Sequence, residues 1–163
     1  MRKLFQAVLL ATASLSLTAC GEEPAPVESE EATGIPGLTV SDGRMVMNAV
    51  DGNPAAIYFK LSYDGDRGLA IRSAEVAGAE SAMLHEYGEN QGVREMMEAL
   101  PINLRKGTEL AFEPGSRHVM AMGLSPELRP GGTTEVTLTV SGGGKASFPV
   151  DIVAAGDAEE PEV

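Results

Sequence analysis

The sequence predicts an all-β domain, either a sandwich or a barrel, and three features of the chain indicate this. Short segments rich in branched and aromatic residues recur between turns that contain glycine or proline. Several of these segments alternate apolar and polar residues, a period of two that is typical of half-buried strands. No convincing amphipathic helix of about twelve or more residues can be found. Short strands at regular spacing with turns between them favour one sandwich or barrel.

Four strands are predicted, and two of them should form a hairpin. Thr133 to Val140 alternates strictly, with Val136 and Leu138 on one face and Thr137 on the other. A run of three glycines at 142–144 separates it from the next apolar segment, which is typical of a β-hairpin. The segment from Val93 to Leu100 is compatible with either a helix or a strand. The predicted strands are Ala56–Tyr63, Leu69–Val76, Thr133–Val140 and Ala146–Val153.

The first nineteen residues have the composition of a bacterial export signal. Arg2 and Lys3 are basic, and the apolar run from residue 4 to residue 17 is too short to span a bilayer but suits a signal-peptide core. The run leads into Leu17-Thr18-Ala19-Cys20, which resembles a lipobox, in which the cysteine is lipidated and becomes the mature N-terminus. Residues 1–19 are therefore predicted to be a signal peptide, and Cys20 to carry the lipid.

The cysteine count and the net charge narrow the class of protein further. Cys20 is the only cysteine of the 163 residues, so the chain can form no internal disulfide, and lipidation explains a lone cysteine in an exported protein. An ordinary secretory signal with an incidental cysteine is the alternative. Cleavage before Cys20 removes Arg2 and Lys3 and no acidic residue, so the net charge of −12 becomes −14. So acidic a chain is not expected to bind nucleic acid.

Composition divides the mature chain into three parts. Residues 20–36 are rich in Glu, Pro, Ala and Ser and are predicted to be a lipidated N-terminus followed by a disordered tether. Residues 37–155 hold the strand signals and should form the single folded domain. Residues 156–163 form a short acidic tail that is predicted to be disordered. The lipid would anchor this domain to a membrane of the bacterial cell envelope, facing the periplasm.

Histidine and methionine are concentrated in one window of the domain. The chain has two histidines, His85 and His118, and eight methionines, of which seven remain after Met1 is removed. Five of the seven lie between Met83 and Met122, in the window that also holds both histidines. Methionine often fills gaps in a core, and a single histidine is often structural, so each residue taken alone has an ordinary explanation. Their clustering favours a shared chemical role.

The segment from His118 to Met122 predicts a binding site for a soft metal ion. Alternate side chains of a strand share a face, so His118, Met120 and Met122 point the same way. Imidazole and thioether ligands together favour Cu(I), whereas a zinc site would use cysteine or carboxylates with histidine. A blue-copper centre needs a cysteine thiolate, which the domain lacks. The pattern therefore indicates carriage of Cu(I) and not electron transfer.

The spacing of the four candidate ligands resembles that of the periplasmic copper chaperones called PCuAC. In that family a histidine, ten residues, a methionine, twenty-one residues and a His-x-Met motif supply the ligands. Ten residues separate His85 from Met96, and twenty-one separate Met96 from His118, with Met120 completing the motif. Gly88 and Gly92 lie between the first two and are compatible with a turn. The similarity runs from about Val40 to Val153.

The resemblance implies a cupredoxin-like, Greek-key β-sandwich that binds one Cu(I) per chain through His85, Met96, His118 and Met120. It also implies a copper chaperone, not an enzyme, that delivers copper towards the dinuclear copper centre of cytochrome oxidase, directly or through a thiol-bearing assembly partner. Two other interpretations are an envelope β-sandwich that binds a partner without metal, and a copper-dependent redox enzyme. The lack of a cysteine ligand and of a third histidine argues against the enzyme. Many members carry a Met-rich tail, and residues 157–163 have no methionine or histidine, so one site is expected.

Overall fold

A computed structural model describes residues 30–31, 34–99 and 101–156, and these residues form a β-sandwich. In this part of the chain every regular element is a strand, as predicted. The predicted signal peptide, Cys20 and nearly all of the acidic tail lie outside the described residues. The strands are β1 (Glu30–Glu31), β2 (Leu38–Val46), β3 (Ala55–Tyr63), β4 (Leu69–Val76), β5 (Ala79–Asn90), β6 (Val93–Glu98), β7 (Ile102–Leu104), β8 (Thr108–Phe112), β9 (His118–Leu124), β10 (Thr133–Val140) and β11 (Lys145–Val153).

One continuous path of strand pairing runs through the sandwich, in the order β6-β5-β9-β3-β2-β11-β10-β4-β7. Strand β3 changes its partner along its length, because Ala55–Ile57 pairs with β9 and Phe59–Tyr63 pairs with β8. All these pairs are antiparallel except β2 with β11. Strand β6 lies at one end of the path, which leaves its outer edge without a neighbour among the described strands. The histidines and methionines of the window from Met83 to Met122 lie at this end, on β5, β6 and β9.

The core forms where the apolar faces of the strands meet. In β10 the side chains of Val136 and Leu138 are fully buried while Glu135 is exposed, which confirms the predicted alternation. Phe59 stacks on Phe112 with ring centroids 4.2 Å apart, and Phe148 lies 5.0 Å from Phe59 at a tilt. Aromatic pairs at such separations add to the stabilisation that burial alone provides. The core therefore spans strands from both halves of the path.

The predicted hairpin and strand boundaries agree closely with the structure, and β4 departs from strict alternation of buried and exposed residues. Strands β10 and β11 pair as a hairpin over Thr133–Val140 and Lys145–Val153. In β4, Ile71 and Ala74 are both buried, although strict alternation would put them on opposite faces. The pairing of β10 with β4 shifts register between Thr139 and Val140, and such a bulge lets two residues three apart face the core.

The N-terminal boundary of the folded part differs from the prediction. Residues 20–36 were predicted to be a tether, yet Glu30–Glu31 pairs with Thr39 and Val40 of β2. Ile35 is 6% exposed and belongs to the core. The ordered structure thus begins before residue 37. The acidic, proline-containing composition predicted a tether, but Ile35 is apolar and buried, and β2 supplies backbone partners for residues 30–31.

The segment that the sequence left open, from Val93 to Leu100, begins as strand β6, and its partner is β5. A two-residue turn joins the two strands, with a positive φ at both Gln91 (52°) and Gly92 (80°). Positive φ at both positions is the geometry of the tight hairpin turns whose twist matches that of the flanking strands. Gly92 therefore belongs to the turn, as expected, whereas Gly88 lies within β5.

Candidate metal centre

The two histidines face each other across neighbouring strands. His85 of β5 and His118 of β9 are direct partners in the antiparallel register. Their ring centroids are 5.7 Å apart, and the rings meet edge to face at 75°. The sequence could not predict this pairing from the histidines alone, because thirty-two residues separate them. Direct partners on one face have Cβ atoms about 5 Å apart, so both imidazoles can reach one small ion.

The backbone fixes the orientation of the His118 ring. Its Nδ1 donates a hydrogen bond to the carbonyl oxygen of Ser116 at 3.2 Å, since a carbonyl can only accept. This leaves the lone pair of Nε2 free, and metal-binding histidines commonly use their second nitrogen in this way. His118 is 4% exposed. The ring is thus held in one tautomer with one nitrogen available.

The environment of His118 also favours its neutral form. Burial lowers the pKa of the imidazole below its usual value near 6.5, and the nearby His85 lowers it further. The hydrogen bond to Ser116 opposes this but does not reverse the direction. A metal ligand must be the neutral imidazole, so the lowered pKa keeps His118 competent for metal at neutral pH.

His85 contains a buried nitrogen that has no hydrogen-bond partner. Its Nδ1 is inaccessible to solvent and unpaired, while the residue as a whole is half-buried. Buried polar atoms are normally satisfied, and an exception calls for an explanation such as an ion. An unpaired nitrogen on an imidazole that lies beside a second one is compatible with a metal ligand.

Methionine side chains continue the face on which the histidines lie. Met120 is two residues from His118 in β9 and is therefore on the same face. Its direct partner in β5 is Met83, which is two residues from His85. Met122 follows on the same face, opposite Ser81. Met120 and Met122 are half-buried and Met83 is exposed, so this row of thioethers lies at the surface beside the imidazoles.

The register distinguishes Met96 from its neighbour Met97. Met96 is the partner of Tyr87, which is two residues from His85, so Met96 lies on the histidine face. Met97 is the partner of Glu86 and lies on the opposite face. A Cβ atom added to Gly88 would come within 2.7 Å of the Met97 Cε. The Met97 side chain therefore packs over Gly88, where a larger residue would require its flexible end to move.

Two aromatic rings and two arginines lie around the histidines, and none of the four could be identified as part of the site from the sequence. The ring of Tyr87 lies 6.1 Å from that of His118, and the ring of Tyr58 lies 6.3 Å from it. Arg94 of β6 stacks over Tyr87, and Arg44 lies over Tyr58. Burial and the nearby Tyr87 raise the pKa of Tyr58, although Arg44 opposes the shift. Arg44 and Arg94 are fifty residues apart, so a single sequence does not indicate that both lie near the same site.

Carboxylates do not form a second candidate centre in the part of the chain that the structure describes. Among residues 30–31, 34–99 and 101–156, no group of three or more His, Cys, Asp or Glu side chains is arranged to hold a metal ion. The methionines of the candidate site do not belong to these residue types.

No helix within these ranges is long and apolar enough to cross a membrane.

A family described as "Putative lipoprotein LpqE-like" matches residues 38–152 of the chain. A protein of Leifsonia xyli subsp. xyli, named "Putative lipoprotein Lxx21020", is similar over almost its whole length. The two sequences are 26% identical over 151 residues, which make up 92% of this chain and 90% of that protein.

Solved structures of copper-related domains are similar to this chain in three dimensions. The apo PCuAC domain from PmoF1 superimposes with a TM-score of 0.62 at 21% identity, covering 77% of this chain and 98% of that one. The copper-bound PCuAC domain from PmoF2 gives 0.59 at 18% identity, covering 77% and 99%. The Cu(I) form of DR1885 from Deinococcus radiodurans gives 0.53 at 24% identity, covering 78% and 83%. The chain therefore has the cupredoxin-like β-sandwich fold that its resemblance to the PCuAC family implied.

Proposed function

We propose that this chain, which belongs to the LpqE-like lipoprotein family, is a copper carrier of the bacterial cell envelope. It binds one Cu(I) ion through His85, Met96, His118 and Met120 and is not an enzyme. Cys20 carries the lipid that anchors it to a membrane, with the domain facing the periplasm. The single observation that supports this most strongly is the direct pairing of His85 with His118 on a face that is lined with methionines.

The chemistry of the four ligands suits Cu(I). Thioethers are soft ligands that select Cu(I), and imidazole also binds copper well. Neither ligand type adds charge, so the site keeps the single positive charge of the ion. His85 offers a buried nitrogen without a partner, and His118 offers Nε2 in a fixed tautomer. The copper-bound PCuAC domains with the same fold support copper as the ion.

The position of the site suits a carrier. Met96 is 44% exposed on the edge strand β6, while His118 is 4% exposed. The site therefore presents an exposed thioether to an acceptor and keeps one imidazole buried. Ligand exchange with an incoming thiolate could begin at the exposed thioether, because that ligand can leave without disturbing the buried imidazole. The acceptor that we propose is the copper subunit of cytochrome oxidase or a thiol-bearing assembly partner.

Titration with Cu(I) in the presence of a competing chelator tests this function. We expect one ion per chain, bound tightly enough to compete with the chelator. Met96→Leu should lower the affinity by more than about tenfold, because loss of a direct ligand should cost more than loss of an outer partner of a ligand, which costs at least about tenfold. Met97→Leu is the matched control, because Met97 has the same side chain on the adjacent residue but lies on the opposite face.

Two results would contradict the proposal. If the wild-type chain does not bind Cu(I), the alternative of an envelope interaction module without metal is favoured. If Met96→Leu and Met97→Leu weaken binding equally, then Met96 is not the ligand that the register indicates.

A further inference from the structure

We propose that Arg94 is a positioning residue for the copper site, an inference that rests on the proposed function. Arg94 lies in β6, two residues before Met96, so the two side chains share a face of the hairpin. Its Nη2 donates a hydrogen bond to the backbone carbonyl of Gly115. Its guanidinium carbon lies 4.8 Å from the centroid of the Tyr87 ring. One side chain thus connects the β5–β6 hairpin to the loop that precedes β9.

That loop also orients the second histidine. Gly115 and Ser116 are consecutive, and the Ser116 carbonyl accepts the hydrogen bond from Nδ1 of His118. The loop is itself closed by backbone hydrogen bonds from Ser116 to Glu113 at 3.0 Å and from Glu113 to Arg117 at 2.9 Å. The neighbouring carbonyls of Gly115 and Ser116 therefore accept hydrogen bonds from two sides. One comes from Arg94 of the hairpin and the other from His118 of β9. The loop links the part of the molecule that carries Met96 to the part that carries His118.

The hairpin needs such a link because β6 is held on one side alone. All six residues of β6 are exposed, and β6 ends the strand order with β5 as its partner. Edge segments with few buried contacts open locally at low cost in free energy. Opening would move Met96 away from the histidines without unfolding the domain. Arg94 opposes this motion, because its side chain reaches from β6 across β5 to the loop that precedes β9.

The chemistry of an arginine suits this position better than that of a lysine. A planar guanidinium can stack on an aromatic ring and donate a hydrogen bond in the plane at the same time. A lysine ammonium can donate the hydrogen bond or lie over the ring as a point charge, but it has no flat face with which to do both at once. We therefore expect Arg94→Lys to hold the β5–β6 hairpin in place in part and Arg94→Gln to lose this effect.

The test measures Cu(I) affinity of the full-length chain by chelator competition, for Arg94→Gln alone and in a Met96→Leu background. Loss of an outer partner of a metal ligand typically costs at least about tenfold in affinity. We expect a loss of about tenfold for Arg94→Gln in the wild-type background and a change of less than about twofold where Met96 is already replaced, because both changes remove the same contact. Arg72→Gln, at an exposed arginine of β4, is the control and should leave the affinity unchanged.

Amide hydrogen exchange of the copper-free chain gives a second readout. Arg94→Gln should speed exchange in β6 while leaving β10 and the midpoint of thermal unfolding unchanged. Two results would overturn the role of Arg94 without affecting the proposed function. One is that Arg94→Gln lowers the Cu(I) affinity equally in the wild-type and Met96→Leu backgrounds, and the other is that it changes neither the affinity nor the amide exchange of β6. If the wild-type chain does not bind Cu(I), the proposed function fails and the role of Arg94 in it fails as well.

Discussion

His118 combines the two properties that a copper ligand in this fold requires. Its ring is buried, which keeps it neutral, and the Ser116 carbonyl fixes which nitrogen carries the proton. The sequence predicted His118 as a candidate through its spacing from Met120, since strand alternation alone puts those two side chains on one face. The tautomer of His118 could not be predicted from the sequence, because it depends on a hydrogen bond to the backbone carbonyl of Ser116 in the preceding loop.

The first prediction concerns the dependence of copper binding on pH. Protons compete with Cu(I) for an imidazole, whereas thioethers do not titrate, so affinity should weaken as the pH falls. Burial lowers the pKa of His118 below 6.5, so that residue remains neutral to a lower pH than a free imidazole does. Affinity should therefore fall between about pH 7 and about pH 5, and protonation of His118 should contribute at a lower pH than that of an unperturbed imidazole.

Chelator competition at several pH values measures this. Variants at the thioether ligands, such as Met120→Leu, are the control, because they lower the affinity without changing its slope with pH. A slope that is flat across the whole range would show that neither His85 nor His118 binds the ion.

At the scale of the elements, the β5–β6 hairpin was the least predictable part of the site. Strand β6 is exposed on both faces and so has no alternation of apolar and polar residues for a sequence pattern to detect. Its place in the sheet depends on the turn at Gln91 and Gly92 and on pairing with β5. By contrast, β10 was predicted to the residue, because one of its faces is buried and the other is not.

The second prediction compares glycines in the turns of two hairpins. Gly92 and Gly142 both have a positive φ, of 80° and 86°, and a Cβ atom at either would meet nothing within 4 Å. Gly92→Ala and Gly142→Ala should thus each cost about 1 kcal/mol through backbone strain alone. Denaturant unfolding should give similar losses of stability for the two variants.

Copper affinity should separate the same two variants. We expect Gly92→Ala to weaken Cu(I) binding several-fold, because its hairpin carries Met96, while Gly142→Ala leaves binding unchanged. Equal copper affinity in the two variants would contradict the view that the geometry of the β5–β6 hairpin controls the site.

At the scale of the whole molecule, the sandwich acts as a rigid support with its candidate site at one end of the strand order. Strand β9 pairs with β3, whose Phe59 and Ile57 are in the core, and β5 pairs with β9, whereas β6 projects from the edge. The all-β class and four of the eleven described strands followed from the sequence. The order of the strands did not, since it depends on contacts between residues far apart in the chain, such as His85 with His118.

The third prediction concerns the anchor at Cys20. This residue is the only cysteine and follows a small-residue motif, so Cys20→Ser should abolish incorporation of a labelled fatty acid and release the protein from the membrane fraction. Several acyl chains together anchor a protein stably, because each buried methylene contributes about 0.8 kcal/mol. Ser29→Ala, in the same predicted tether, is the control. A Cys20→Ser protein that is still labelled and still sediments with membranes would refute lipidation at this residue.

X-ray absorption at the copper edge, on the full chain with one equivalent of Cu(I), tests the ligand set most directly. We predict a first coordination shell of two imidazole nitrogens and two thioether sulfurs, from His85, His118, Met96 and Met120. Met96→Leu should remove one sulfur from that shell, and Met97→Leu should leave it intact. A shell without sulfur, or one that keeps both sulfurs in the Met96→Leu variant, would contradict the proposed site.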